Sequence, residues 1–167
     1  KEAARYYKTA IDKGDSLSLF RYATMNYNGE GIEVNKKEAA KYHKIAADNG
    51  DTRSMMCYAS MNYQGDGIAV NKSEAAKYFK HAAEDNTEAL YFEYQLNGML
   101  NYASMLYLGD GIEMNKKEAA RYLKFIADNG KSYAMFKYAS MNYQGDGIAV
   151  NKVEAAKYFK LAADQED

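Results

Sequence analysis

The sequence predicts an all-α protein, an α/α right-handed superhelical solenoid of stacked helix-loop-helix repeats. Three observations predict it. The chain matches itself at a fixed period, with Gly-x-Gly-Ile segments starting at Gly29, Gly65, Gly109 and Gly145, offset by 36, 44 and 36 residues. Apolar residues recur at helical spacing within each period. Proline, which removes a backbone donor and clashes with the preceding turn, is absent. Segments 58–83 and 138–163 differ at two of 26 positions, where Ser73 and His81 face Val153 and Leu161.

In chain order, residues 1–14 are the second half of a repeat. Full repeats follow at 15–50, 51–86, 87–130 and 131–167, together one solenoid domain over 1–167. The third carries eight extra residues, about Thr87 to Tyr94.

The first helix of each repeat follows Leu19, Tyr22, Ala23, Met25 and Tyr27, repeated as Met55, Tyr58, Ala59, Met61 and Tyr63. Small residues at Ser18, Ser54, Gly98 and Ala134, and at Ala23, Ala59, Ala103 and Ala139, let neighbouring helices approach closely. Tyr and Met side chains fill the gaps. The Gly-x-Gly segment that ends this helix reads as a tight turn with positive φ.

The second helix opens on Asn35, Asn71, Asn115 or Asn151, each followed three residues later by Glu38, Glu74, Glu118 or Glu154. The Asn side chain can accept from a first-turn amide while the Glu reaches back to the cap amide, worth about 1 kcal/mol per helix. Its buried face carries Ala39, Tyr42, Ala46 and Ala47, repeated as Ala75, Tyr78, Ala82 and Ala83. It stops near Gly14, Gly50 and Gly130, with Asn86 in that place in the second repeat. One helix pair cannot bury its apolar faces alone, and stacking the pairs does so.

Composition limits the function. With 47% hydrophobic and 27% charged residues the chain is globular rather than disordered. A net charge of −1 argues against nucleic acid as a partner, since that needs an excess of Lys and Arg. No apolar run approaches the roughly 20 residues a membrane span needs, so no membrane insertion is expected. A single cysteine, Cys57, excludes an internal disulfide framework and points to a reducing compartment such as the cytoplasm. Seventeen Tyr and no Trp give aromatic surfaces that both pack and hydrogen-bond.

The run Tyr58-Ala59-Ser60-Met61, Gly65-Asp66-Gly67-Ile68, Asn71, Glu74-Ala75-Ala76, Tyr78 and Ala82-Ala83 resembles the Sel-one-like repeat (SLR) family, a branch of the tetratricopeptide (TPR-like) superfamily. The resemblance covers essentially the whole chain. Where the family often has Pro after the loop this chain has Glu33, Ala69, Glu113 or Ala149, and the small first-helix residue is Ala rather than Gly. The family includes bacterial members with a disulfide in each repeat, linked to β-lactam binding, and one cysteine sets this chain apart from them.

No catalytic or metal site is expected, and no cofactor. His43 shares its slot with Phe79, Leu123 and Phe159, and His81 with Ile45, Phe125 and Leu161, so both read as replacements for packing residues. The Gly-Asp-Gly loops lack the Lys-Ser/Thr of a phosphate loop and the alternating oxygen ligands of a calcium loop. Asp66, Asp110 and Asp146 recur by repetition and do not converge as an acid–base pair. The Asn71-Lys72-Ser73 sequon reads as coincidence, because Asn71 is already a helix cap.

What remains is a protein-binding surface. The resemblance implies that the first helices line a concave groove, with Leu17, Phe20, Thr24, Tyr27 and Asn28 from the first repeat. The others contribute Arg53, Met56, Ser60, Tyr63 and Gln64; Asn97, Leu100, Ser104, Tyr107 and Leu108; and Tyr133, Phe136, Ser140, Tyr143 and Gln144. This apolar and aromatic strip with amides and hydroxyls suits a helix or an extended peptide. Each position reads equally well as packing between repeats.

The insertion Glu88–Tyr94 is the other candidate. Eight helical residues add about two turns and rotate the face by roughly 80°. Leu90, Tyr91 and Phe92 would then point away from the stack, and with Tyr94 they are expected to form a partner or self-association contact.

The chain begins inside a repeat and ends without a polar capping helix, so further repeats of a parent chain, or assembly subunits, are expected to cover its ends. The favoured function is a non-catalytic scaffold or adaptor for a peptide or helix of another protein. The alternative is a structural component of a large multiprotein assembly, with the solenoid as a permanent packing element. An enzyme would need a nucleophile–base pair that the sequence does not offer.

Overall fold

The computed structural model describes residues 2–85 and 91–165, and among them the secondary structure is helical throughout. In order, the helices are α1 (Glu2–Asp12), α2 (Leu17–Asn28), α3 (Lys36–Asp48), α4 (Thr52–Gln64), α5 (Lys72–Glu84), α6 (Phe92–Leu108), α7 (Lys116–Asp128), α8 (Ser132–Gln144) and α9 (Lys152–Ala163). The chain divides into two compact units, Lys1–Gln95 and Leu96–Asp167.

In the first unit α2 pairs with α3, α4 pairs with α5, and α3 packs on α4. Fully buried alanines sit at the crossings: Ala23, Ala39, Ala59 and Ala75. With no side chain beyond Cβ, they bring the backbones close enough for tyrosines to meet edge to face beside them. Tyr22 and Tyr42 lie 4.8 Å apart, and Tyr58 and Tyr78 lie 4.9 Å apart. The second unit repeats the device with Ala103, Ala119 and Ala139, and with Tyr138 against Tyr158 at 5.0 Å.

Each helix pair is pinned by one recurring bond. The Asn35 amide donates to Asn26 O, Asn71 to Asn62, Asn115 to Leu106 and Asn151 to Asn142, all at 2.8 Å. This changes the expected capping. The Asn side chains do accept from Glu38, Glu74, Glu118 and Glu154, all at 3.0 Å. The reciprocal half does not form, because the cap amide is already spent on the preceding helix.

The two histidines differ. His43 is 2% exposed, in a packing slot as expected. His81 is exposed, as are Ile45, Phe125 and Leu161, so that slot lies on the outer surface of the second helix.

The third repeat's first helix is longer, because α6 starts at Phe92. Thr87 to Leu90, including the expected contact residue Leu90, lie outside the described residues. Tyr91 and Phe92 are half-buried, and the Tyr91 ring lies 4.9 Å from the Arg53 guanidinium. Tyr91 therefore packs back onto α4 instead of pointing away from it. Gln95 is buried and donates to Ala83 O at 3.2 Å, which ties the insertion to the end of α5.

Candidate partner-binding surface

In the second unit, residues of α6, α7 and α8 meet around one hollow. Between them is a cavity of about 320 Å³ lined by Ser104, Tyr107, Leu108, Tyr133, Phe136, Ser140 and Gln144 among others. These are seven of the ten groove positions expected in this unit. Leu108 is 64% exposed, and Tyr133 and Phe136 are 55% exposed each, so the walls are accessible apolar surface. Asn97 and Leu100 line a second cavity of about 290 Å³ with Tyr133. Tyr143 is exposed, and Lys152 Nζ lies 5.7 Å from its ring.

The hydroxyls here are less available than their residue types suggest. Ser104 donates to Leu100 O at 2.9 Å, and Ser140 to Phe136 O at 2.8 Å, each one turn back on its own helix. Both can still accept a bond from a partner. Lys137 lies in the cavity wall, its Nζ 5.7 Å from the Tyr133 ring, and sequence reasoning missed it. Its neighbours in the repeat slot are Arg21, Cys57 and Asn101, so the slot carries no common chemistry that would have marked it.

The first unit uses the same slots differently. Leu17 is exposed at the start of α2. Phe20 is half-buried between the His43 ring at 5.7 Å and the Arg53 guanidinium, 4.2 Å from its ring. Arg53 is held by Asp51, with Nε at 3.2 and 3.3 Å from the two carboxylate oxygens, and Tyr91 lies on its other side. Phe20 and Arg53 are thus half-buried against each other, whereas Phe136, whose ring meets Phe159 at 5.5 Å, and Tyr133 keep most of their surface exposed in the matching slots. Thr24 donates to Phe20 O and Asn28 to Glu30. Met56 and Ser60 are half-buried, and Tyr63 and Gln64 are exposed.

Tyr27 and Tyr107 have a role the sequence did not reveal. The Tyr27 hydroxyl donates to Asp66 Oδ2 at 2.6 Å, and Lys36 Nζ reaches Asp66 Oδ1 at 2.7 Å. Tyr107 donates to Asp146, and Lys116 Nζ reaches Asp146 Oδ1 at 2.7 Å. The Lys36 and Tyr27 hydrogen bonds hold the Asp66 carboxyl below the ordinary carboxylate range, and Lys116 and Tyr107 do the same for Asp146. A matching tie joins second helices: Asp48 accepts from Tyr78 and Lys44, and Asp128 accepts from Tyr158 and Lys124. The separations of 39, 30 and 34 residues repeat because the ties cross from one repeat to the next. The loop aspartates are therefore inter-repeat fasteners.

Neither titratable candidate resembles a reactive group. Burial pushes the His43 imidazole down to about 4 and the Cys57 thiol up to about 11. The His43 Nδ1 lies 3.4 Å from Ser54 Oγ. Among the described residues no group of three or more His, Cys, Asp or Glu stands close enough to hold a metal ion. Among the described residues, no helix is long and apolar enough to cross a membrane.

The sequence matches the Sel1 repeat at residues 1–15, 16–51, 53–86, 96–131 and 132–167, which is most of the chain. The chain belongs to the Sel1 repeat family. Sel1 repeat proteins are generally protein-interaction scaffolds, and the family is typically non-catalytic. The matched segments leave residues 87–95 between the second and third repeats. Among solved structures, a Sel1 repeat protein from Oxalobacter formigenes is similar at 22% identity and a TM-score of 0.80, over 96% of this chain and 63% of that one. A protective antigen of uropathogenic Escherichia coli displaying an SLR fold is similar at 22% identity and a TM-score of 0.51, over 97% of this chain and 41% of that one. The chain thus spans less than two thirds of the length of either structure. These likenesses show the all-α Sel1 solenoid fold class. No curated protein matches the chain.

Proposed function

We propose that this Sel1 repeat chain is a non-catalytic scaffold that holds a peptide or helix of a partner protein on its first-helix face. The partner seats an apolar side chain between α6 and α8. The observation that supports this is the 320 Å³ cavity, whose exposed walls come from Leu108, Tyr133 and Phe136. A concave apolar site with a few polar groups at its edge is the usual form of an anchor pocket. Gln144 supplies an amide for the partner backbone, and Lys137 favours an acidic residue beside the anchor.

A displayed library of random peptides, selected against the whole chain, tests the reading. Selection is expected to enrich segments with a large apolar residue and an adjacent Asp or Glu. The variant carrying Tyr133→Ser and Phe136→Ser, still melting cooperatively, is expected to lose those segments. Enriched peptides that bind the variant equally well would place the site elsewhere.

A further inference from the structure

We propose that the anchor cavity selects a tryptophan side chain of the partner protein, whose indole N–H meets the hydroxyl oxygens of Ser104 and Ser140. This rests on the reading of the cavity as an anchor site and names what it holds.

The wall fixes the polarity of the ligand. Four hydroxyls line the cavity, on Ser104, Tyr107, Tyr133 and Ser140. Three of them donate within the chain: Ser104 to Leu100 O at 2.9 Å, Ser140 to Phe136 O at 2.8 Å, and Tyr107 to Asp146. Asp146, itself in the wall, also accepts from Lys116 Nζ at 2.7 Å. These groups have lone pairs left to offer and no proton. A side chain that fills the cavity without donating a hydrogen bond strips water from the serine oxygens and leaves them unpaired. Indole suits them, because it is broad and apolar and its N–H is a donor with no acceptor beside it. A phenol would bring an oxygen of its own against oxygens that have no proton to give it.

Size and surroundings agree. At about 320 Å³ the cavity is at the small end of ligand pockets, which suits one large aromatic side chain. Tyr133 and Phe136 offer rings for it to meet, and Met141 offers a thioether.

The seats for a cation are already taken. Lys116 Nζ lies 4.8 Å from the Tyr107 ring centroid, and Lys137 Nζ lies 5.7 Å from that of Tyr133. An arginine or lysine of the partner would meet positive charge at the rings it would otherwise stack on. The neutral indole avoids this. A second copy of this chain is not the occupant, because the sequence contains no tryptophan. In the first unit the matching positions hold Asn28 for Leu108, His43 for Leu123 and Arg53 for Tyr133, so the same apolar wall is not built there.

The test uses the whole chain and short peptides, blocked at both ends, that carry one Trp beside an Asp. All indole emission then comes from the peptide. Titration is expected to give a saturable blue shift at one peptide per chain. A peptide whose tryptophan is methylated on the indole nitrogen keeps the ring and loses the donor. It should bind about fivefold more weakly, the worth of one such hydrogen bond. On the chain variant carrying Ser104→Ala and Ser140→Ala, the two peptides should bind alike. Peptides with Phe or Arg in place of Trp should displace the Trp peptide only at higher concentration. Equal binding of the Phe peptide, or a methylation penalty that survives the serine replacements, would overturn the tryptophan assignment. The anchor cavity itself would stand in either case if Tyr133→Ser with Phe136→Ser still abolished binding. A Trp peptide indifferent to that variant, or no binding by any peptide, would overturn both. Acetyltryptophan amide binding as tightly as the peptide would make this a small-molecule site and remove the partner protein as its occupant.

Discussion

The Tyr27 hydroxyl donates to Asp66 Oδ2 across 2.6 Å, from the end of one first helix to the loop that closes the next. The bond joins elements 39 residues apart, and Tyr107 makes it again to Asp146. Sequence reasoning placed these tyrosines in the groove and these aspartates in isolated turns. Each reading missed half of a pair, because the partners face each other only once neighbouring repeats are stacked. Their rings still border the first-helix face while their hydroxyls lock its spacing.

Replacing Tyr27 with Phe should lower unfolding free energy by about 1 kcal/mol, the usual net value of one such bond at a partly exposed site. Asp66→Asn should cost a similar amount, and the double variant should cost clearly less than the sum. Because Asp66 titrates below its ordinary value, its contribution is present above about pH 4 and is lost as pH falls through the lowered value. Urea denaturation at pH 7 and pH 3 checks this, and an additive double variant would show that the two residues are not coupled.

His43 should make the first unit acid-sensitive in a different window. Its folded value of about 4 lies below the ordinary 6.5, because burial disfavours the imidazolium. Between those values the unfolded chain takes up a proton that the folded chain refuses, so stability falls as pH drops from 6.5 toward 4. The loss by pH 5 is on the order of 2 kcal/mol. His43→Phe, which restores the residue found at Phe79 and Phe159, should flatten that slope. Urea midpoints of both proteins at pH 7 and pH 5 give the comparison, and parallel shifts would remove His43 as the cause.

The fold was largely legible because its signals are local and repeated. Asn71 as a cap and Ala75 and Tyr78 on one face each follow from spacing within a single helix. The site was legible in part. The walls Tyr133 and Phe136 came from the family resemblance, but the packing of Tyr91 on their counterpart Arg53 gave no signal, because Tyr91 belongs to an insertion without precedent in the other repeats. Lys137 gave no signal because its slot holds unrelated residues in the other repeats. His81 was misread because Ile45, Phe125 and Leu161 suggested burial, yet all four are exposed. An apolar residue at one position does not by itself mark the inner face.

The cap geometry separates two residues that sequence alone would treat as one unit. Asn71→Ala should destabilise by about 1 kcal/mol, since the Glu74 amide loses its acceptor. Glu74→Ala should change stability by only a few tenths, because the Asn71 amide donates to Asn62 O and owes nothing to the Glu side chain. Thermal melts of the two single variants decide it. Equal losses would mean that a reciprocal capping box forms after all.

Two glycines with similar backbone angles should respond very differently to alanine. Gly14 and Gly67 have φ of +91° and +78°, so a Cβ strains either by about 1 kcal/mol. Around Gly14 nothing lies within 4 Å of the added atom, and the cost should stop there. At Gly67 the atom would meet Lys36 Cβ at 2.4 Å and the Lys36 carbonyl carbon at 2.8 Å. Backbone cannot step aside as a flexible side-chain tip can, so the loop must lift from α3. That motion pulls Asp66 from Lys36 and Tyr27, and the total cost should reach roughly 3 kcal/mol. Urea unfolding of Gly14→Ala and Gly67→Ala measures the gap. Equal costs would show that the loop has room to shift without pulling Asp66 from Lys36 and Tyr27.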